Sequence, residues 1–223
     1  MKDLKSCLHS SIGKKQWMAV TGLMLCGFLL LHLLGNLLLF KGYHNGFCPF
    51  NDYAHSLESM GIVLYIAEVI LLLTFIVHVS LAIRLTIENR RARGTQKYHV
   101  QANSGDLTLA SQSMIYTGLW VLVFLVLHLI HFKFAERPVD KGLYGLVEHH
   151  FQSPFNVAYY LVTFMLLGAH LYHGVQSIFQ TFGLNHKKYN ALVKKLSALY
   201  VLVIVTGYSA IPLWFILNKE MHK

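Results

Sequence analysis

The chain has 223 residues, of which 55% are hydrophobic and only 13% are charged. A soluble domain usually carries about 25% charged residues. The polar residues here cluster between long apolar runs, which excludes a soluble globular domain and indicates an integral membrane protein. The formal net charge is +9, but the basic residues lie in short segments that flank the apolar runs, so the charge does not indicate nucleic-acid binding.

The segment before Trp17 is polar and has no small-residue cleavage site, so it does not resemble a signal peptide. Five apolar runs follow, and each is long enough for a helix that crosses about 30 Å of hydrocarbon. We therefore predict one all-α domain over residues 1–223, an integral membrane five-helix bundle. Its spans I to V lie at about 17–40, 61–87, 112–132, 155–182 and 196–217.

The distribution of Lys and Arg predicts the orientation of the bundle. Thirteen of the 19 basic residues lie in the N-terminal tail, the II–III loop and the IV–V loop, and six lie on the opposite side. Because cytoplasmic loops carry an excess of Lys and Arg, we expect the N-terminus in the cytoplasm and the C-terminus outside. The same excess suits anionic lipid and is compatible with docking of a cytoplasmic partner.

Histidines inside the spans are the main chemical signal. Six of the 14 histidines lie there: His32, His78, His128, His131, His170 and His173. A histidine that faces lipid is costly, so such residues normally face the bundle interior and have a partner. A single one could be a hydrogen-bonded contact between helices, but here four spans each contribute at least one.

The rise of 1.5 Å per residue sorts these histidines into two levels. His32 and His128 lie roughly 22 Å from the inner surface, whereas His78 and His173 lie roughly 25 Å from the outer surface and hence nearer the cytoplasm. Two facing imidazoles can ligate one haem iron axially in a helical bundle. We therefore predict a haem-binding four-helix core, with His32 and His128 on an outer haem b and His78 and His173 on an inner haem b.

Depth alone leaves two further histidines in competition. His131 and His170 each lie three residues from the preferred ligand, on the same helix face. If they are not ligands, they would hydrogen-bond a propionate, a water molecule or a neighbouring helix. The chain lacks a C-x-x-C-H motif, so a covalently attached c-type haem is not expected.

The order and spacing of four stretches resemble the cytochrome b subunit of type B succinate dehydrogenases and quinol:fumarate reductases. These stretches are "SSIGKKQWMAVTGLMLCGFLLLHLLGNLLLFKG", "FNDYAHSLESMG" followed by "AEVILLLTFIVHVSLAIRLTIENRRARGTQKY", "VLHLIHF", and "HLYHGVQSIFQTFG". The resemblance implies a single-chain membrane anchor with two b haems in a respiratory complex of the bacterial cytoplasmic (inner) membrane. It also implies partners on the cytoplasmic face, a flavoprotein subunit and an iron–sulfur subunit, and electron exchange with menaquinone.

The resemblance also assigns the iron ligands, and it puts them at His32, His78, His128 and His173. It thereby leaves His131 and His170 as supporting residues. One departure concerns proton transfer, because some fumarate reductases of this type have a glutamate two residues before the fourth ligand. Leu171 stands at that position here, so that proton route is not expected.

Quinone chemistry moves protons and needs a titratable group within hydrogen-bond reach. Glu68 is the only carboxylate well inside a predicted span, which makes it the candidate for proton transfer at an outer quinone site. The weaker candidates in the same region are His44, Tyr53, His55 and His131. The basic residues that could neutralise inner haem propionates are Lys15, Arg84, Arg90 and Arg91.

Three other functions fit parts of the pattern. The chain could be the cytochrome b anchor of another respiratory enzyme, such as a hydrogenase or a formate dehydrogenase. It could also be a histidine-lined metal or proton transporter, although hard cations prefer oxygen ligands and few carboxylates lie in the spans. The third possible function is a haem-free protein that anchors a peripheral enzyme to the membrane.

Overall fold

The computed structural model describes residues 10–44, 46–93, 108–184 and 186–218. Within these ranges the chain is helical apart from turns, loops and an isolated bridge between His44 and Phe47. A 3₁₀ turn (Leu37–Lys41) extends the first helix and a π-helical turn (Leu129–Lys133) extends the fourth. The α-helices of these ranges are α1 (Ser11–Asn36), α2 (Pro49–Ser59), α3 (Ile62–Arg93), α4 (Thr108–His128), α5 (Gly142–Phe151), α6 (Pro154–Thr181) and α7 (Lys187–Leu217).

Five of these helices, α1, α3, α4, α6 and α7, are long and apolar enough to cross a membrane. This confirms the prediction of an all-α bundle with five candidate spans. The largest difference in bounds is at the last span, which begins at Lys187 rather than near residue 196. Lys, Ala and Leu are good helix formers, and the side chain of His186 caps the helix by accepting from the Lys188 N–H at 3.2 Å.

Two short helices, α2 and α5, lie between spans and are not apparent from hydropathy. Pro49 opens α2, where its fixed φ suits a first helical turn. Gly142 opens α5 with φ of 56°, a backbone conformation that favours glycine. The side chain of Asn51 joins the two helices, since its oxygen accepts from the Tyr144 N–H and its NH₂ donates to the Lys141 carbonyl, both at 2.9 Å. Together α2 and α5 cover the outer end of the bundle, as the predicted orientation defines it.

The buried core lies where α6 packs against α1, α4 and α7. Two glycines permit the closest approaches between these helices. A Cβ atom on Gly168 would lie 2.6 Å from the Val205 side chain, and one on Gly207 would lie 2.7 Å from the Leu33 side chain. Small residues at such crossings let membrane helices pack tightly without a hydrophobic driving force.

Helix α3 is the most peripheral span. It packs along α1 but makes few contacts with α4, and Thr74 is the one buried residue among its described side chains. Ion pairs tie its two ends to different neighbours: Lys14 of α1 pairs with Glu88, and Lys133 after α4 pairs with Glu68. The boundary between α3 and α4 is therefore the least densely packed side of the bundle.

Candidate functional site

His32 of α1 and His128 of α4 bring their rings together in the bundle interior. The ring centroids are 6.0 Å apart and the ring planes are almost perpendicular, at 88°. With a metal–nitrogen distance of about 2 Å, two imidazoles on opposite faces of one metal ion have centroids roughly 6 Å apart. The observed separation is compatible with one metal ion between the two rings. The contact joins the two histidines that the sequence predicts as the outer pair.

Aromatic rings surround this outer pair. Phe28 stacks on His32 with a centroid distance of 5.2 Å and an interplanar angle of 17°. Phe124 and Phe132 lie 5.5 and 5.2 Å from the His128 ring, and the Tyr160 hydroxyl lies 3.4 Å from His128 Nδ1. These apolar rings keep water away from both imidazoles, which strengthens any charge interaction made there.

The inner histidines make a different kind of contact. His78 Nδ1 of α3 lies 3.2 Å from Thr21 Oγ1 of α1. In the same way, His170 Nδ1 of α6 lies 3.2 Å from Thr117 Oγ1 of α4. His78 and His170 therefore occupy equivalent positions, each bound by a threonine on the preceding span.

His173 lies one helical turn further along α6 than His170. In the part of the chain that the structure describes, no ring contact or hydrogen bond is found for its imidazole. The structure thus brings together the predicted outer ligands, and at the inner level it gives His170 the environment that matches His78. The choice of His173 over His170 stays a prediction that only the family resemblance favours.

A repeated sequence pattern accompanies these contacts. "TGLMLCGFLLLHLL" in α1 and "TGLWVLVFLVLHLI" in α4 share a Thr-Gly-Leu start and a histidine eleven residues after the threonine. Each copy thus supplies one outer histidine and one threonine that contacts an inner histidine. Thr21 and Thr117 are not among the site residues predicted from the sequence, although this repeat could have identified them.

A second histidine pair lies at the outer end of the bundle. The rings of His131, in the π-helical turn, and His150, in α5, have centroids 4.6 Å apart. His131 Nδ1 and His150 Nε2 are buried and have no hydrogen-bond partner among the described residues. Burial, together with the neighbouring His131 and His149, lowers the pKa of His150 to about 4. Sequence reasoning identifies His131 but misses His150, since nothing in the local pattern of α5 relates it to α4.

Glu68, the predicted proton-transfer residue, lies near the start of α3 at the outer end. It forms an ion pair with Lys133, and the two side chains are 41% and 48% exposed. A second ion pair nearby joins Arg137 to Glu58 at 2.6 Å, and the hydrogen bond from Arg137 lowers the pKa of Glu58. Glu68 is therefore at the surface of the bundle, beside the loosely packed boundary of α3 and α4, rather than in its interior.

The other predicted residues are spread over both ends. His44 and His55 are exposed at the outer end, and Tyr53 packs its ring against Gly35. A cavity of about 160 Å³ between α1, α2 and α5 is lined by His32, Asn36, Tyr53 and Leu143 among others. The basic residues predicted near an inner propionate are all exposed: Lys15, Arg84, Arg90 and Arg91.

No group of three or more His, Cys, Asp or Glu side chains that could hold a metal ion occurs in the described ranges. An axial pair needs only two protein ligands. The chain has no significant match among known protein families, curated proteins or solved structures.

Proposed function

We propose that this chain is the membrane anchor and dihaem cytochrome b subunit of a succinate:quinone oxidoreductase, either a succinate dehydrogenase or a quinol:fumarate reductase. In this function the chain relays electrons between an iron–sulfur subunit and menaquinone in the membrane. The observation that carries the proposal is the His32–His128 pair, whose 6.0 Å separation suits two axial ligands within a bundle of five candidate spans.

The residues present fit two haem b groups. His32 and His128 would hold the outer haem, and the ligands of the inner haem would be His78 of α3 with His170 or His173 of α6. The matching threonine contacts of His78 and His170 favour His170, whereas the family resemblance favours His173. When bound, each haem would supply an iron that gains and loses one electron reversibly.

The chain's own residues prepare these positions. The core packing of α6 against α1 and α4 holds His32 and His128 at a fixed separation, and Phe28, Phe124 and Phe132 exclude water around them. The few contacts between α3 and α4 would leave space for a haem at this boundary, away from the core around α6. Neither the positioning of these histidines nor the exclusion of water requires a charged group in the bundle interior.

Quinone would react at the outer end, where two protons are taken up or released for each quinone. Glu68 is the proton-transfer candidate there, and its carboxylate forms an ion pair with Lys133. His131 Nδ1 and His150 Nε2, which have no hydrogen-bond partner among the described residues, offer further hydrogen-bonding groups for a quinone in the same region. Leu171 is buried and cannot carry a proton, so no route along that turn of α6 is part of the proposal.

The proposed location is the bacterial inner membrane, with the N-terminus in the cytoplasm. The flavoprotein and iron–sulfur subunits would dock on the cytoplasmic face, where Arg84, Arg90, Arg91 and Lys188 are exposed. Their positive charge also suits anionic lipid headgroups. Succinate or fumarate chemistry would belong to the flavoprotein, so this chain would be the quinone-reactive subunit of the enzyme.

The test is the haem content of the purified chain, produced in a haem-replete host and held in detergent. We expect two haem b per chain, with sharp α and Soret bands on reduction. His32→Ala and His128→Ala should each lose the same single haem, because each removes one axial ligand of one iron. His55→Ala, a change at an exposed histidine, should keep both.

A folded wild-type chain without haem would contradict the proposal and leave a transporter or a haem-free anchor. Transport of a metal ion or of protons in liposomes, without partner subunits, would then identify the transporter. If haem is present, copurification of the intact complex separates the remaining options. A succinate:quinone oxidoreductase should bring a flavin-containing subunit that reacts with succinate or fumarate, whereas a hydrogenase or formate dehydrogenase would oxidise hydrogen or formate.

A further inference from the structure

We infer that Thr21 is a positioning residue for His78 and Thr117 for His170, and that each threonine holds its histidine in the tautomer with a proton on Nδ1 and a lone pair on Nε2. This inference rests on the proposed function, because the lone pair on Nε2 is what an axial ligand needs. It assigns a role to two side chains that touch neither of the predicted outer ligands.

The direction of the Thr21–His78 hydrogen bond follows from counting hydrogens. A threonine hydroxyl has one hydrogen to donate. In Thr21 that hydrogen is directed at the backbone, with Oγ1 lying 2.9 Å from the Trp17 carbonyl oxygen and 3.1 Å from that of Met18. We therefore assign the ring nitrogen as donor and Oγ1 as acceptor in the 3.2 Å contact with His78 Nδ1.

The same count applies independently at Thr117. Its Oγ1 lies 3.1 Å from the Ser113 carbonyl oxygen and 3.2 Å from that of Met114, so its hydrogen is also used on the backbone. His170 Nδ1, at 3.2 Å, is therefore the donor here too. Thr21 and Thr117 are 4% and 8% exposed, so water cannot replace either hydroxyl as the acceptor.

The glycine after each threonine makes room for the ring. A Cβ atom on Gly22 would lie 3.5 Å from His78 Cε1, and one on Gly118 would lie 3.3 Å from His170 Cε1. The threonine of each Thr-Gly dipeptide thus supplies an acceptor for Nδ1, and the glycine leaves space beside Cε1. Its occurrence in both copies of the repeat explains why the two inner histidines have matching environments.

A histidine that binds a metal usually donates its other ring N–H to a fixed acceptor, which sets the tautomer and raises the basicity of the ligating nitrogen. Thr21 and Thr117 meet that description for His78 and His170. The outer pair differs, since His128 Nδ1 meets the Tyr160 hydroxyl at 3.4 Å and not a Thr-Gly dipeptide. The effect of the threonines should therefore be confined to the inner haem.

The experiment compares Thr21→Val and Thr117→Val with Thr21→Ser and Thr117→Ser in the purified haem-loaded chain. Valine keeps the shape and removes the hydroxyl acceptor, whereas serine keeps it; the Met114 backbone group that also bonds His170 is the same in both variants. Thr206→Val is the matched control, because the Thr206 hydroxyl also bonds a backbone carbonyl, that of Leu202, but is exposed on α7. The readouts are haem per chain, the midpoint potential of each haem, and the low-spin ferric electron paramagnetic resonance spectrum.

Without the acceptor, the imidazole donates less electron density and stabilises ferric iron less. We expect the midpoint potential of the inner haem to be higher in each valine variant. A tenfold change in the ferric-to-ferrous ratio is about the expected size, and for one electron this corresponds to about 59 mV. Alternatively, the inner haem alone should be lost. The outer haem should be unchanged, and both serine variants and Thr206→Val should resemble the wild type.

Two haems with unchanged potentials and spectra in both valine variants would overturn the inference while leaving the proposed function intact. Loss of both haems in the valine variants, without rescue by serine, would also overturn it, because the threonines would then act only in packing. A wild-type chain without haem would instead overturn the proposed function itself.

Discussion

The outer and inner histidine levels of the bundle are built by different interactions. At the outer level, His32 and His128 are held by aromatic packing, with Phe28 stacked on one ring and Phe124 beside the other. At the inner level, His78 and His170 are each held by a hydrogen bond from the ring to a buried threonine. The first arrangement depends on shape and the second on a specific polar contact.

The comparison suggests which level tolerates change. The outer histidines sit on α1 and α4, both of which pack against α6 in the core, so their separation of 6.0 Å is fixed by many side chains. His78 is on the peripheral helix α3, and its position depends on contacts with α1. We therefore expect the outer haem to survive most single substitutions at the inner level, and the inner haem to be the more easily lost.

The largest expected effect concerns the fourth ligand. His170→Ala should lose the inner haem and keep the outer one, because His170 is the α6 histidine equivalent to His78. His173→Ala, one turn away on the same helix, should keep both. Haem per chain and the reduced α band measure this directly. The opposite result, loss in His173→Ala alone, would mean that the family resemblance identifies the ligand and that the internal repeat does not.

A smaller effect is expected at Glu68. Glu68→Gln should slow quinol turnover by about tenfold or more, since general acid–base groups typically contribute at least that much. Both haems should remain, because a half-exposed ion pair adds little to stability. The measurement is steady-state quinol oxidation by the intact complex.

Helix α3 itself offers the matched control for this test. Glu88 forms the corresponding ion pair with Lys14 at the inner end and is similarly exposed, at 45%. Glu88→Gln should leave quinol turnover unchanged. An equal loss in both variants would show that the charge of α3 matters, and would remove the argument for proton transfer at the outer end.

The five spans were predictable because hydropathy alone marks a membrane helix. The contact between His32 and His128 was also predictable, since similar depth in two spans follows from the rise per residue. The choice between His170 and His173 was not, because three residues along a helix change depth by only about 4.5 Å. What distinguishes them is which one meets Thr117 of α4, and that contact depends on how α6 is rotated.

The outer end was the least predictable part. Helices α2 and α5 are short, and Asn51 joins them by hydrogen bonds to residues 90 and 93 positions away. No local pattern indicates such a contact. His150 enters the site for the same reason, since its neighbour His131 belongs to the turn after α4. Hydropathy places Glu68 well inside a predicted span, because it gives depth along the helix and cannot show that the residue lies on the bundle surface.

The smallest expected effect is a pH dependence confined to the outer end. His150 has its pKa lowered to about 4 by burial, against 6.5 in an unperturbed ring. Between these pH values the ring binds a proton in the unfolded state but not in the folded state. The contribution of His150 to stability is therefore fully present above pH 6.5 and is lost as the pH falls toward 4. Because the ring is only partly buried, we expect a loss on the order of 1–2 kcal/mol.

Hydrogen exchange of the α5 amides at pH 7 and pH 5, corrected for the intrinsic rate, measures this loss. Protection should decrease at pH 5 in α5 and stay constant at the inner end of α3. His150→Gln should remove the difference, because glutamine stays neutral over this range, whereas His149→Gln at the exposed neighbour should not. Equal loss of protection at both ends would show that acid loosens the whole bundle, and the outer histidine pair would then not be its cause.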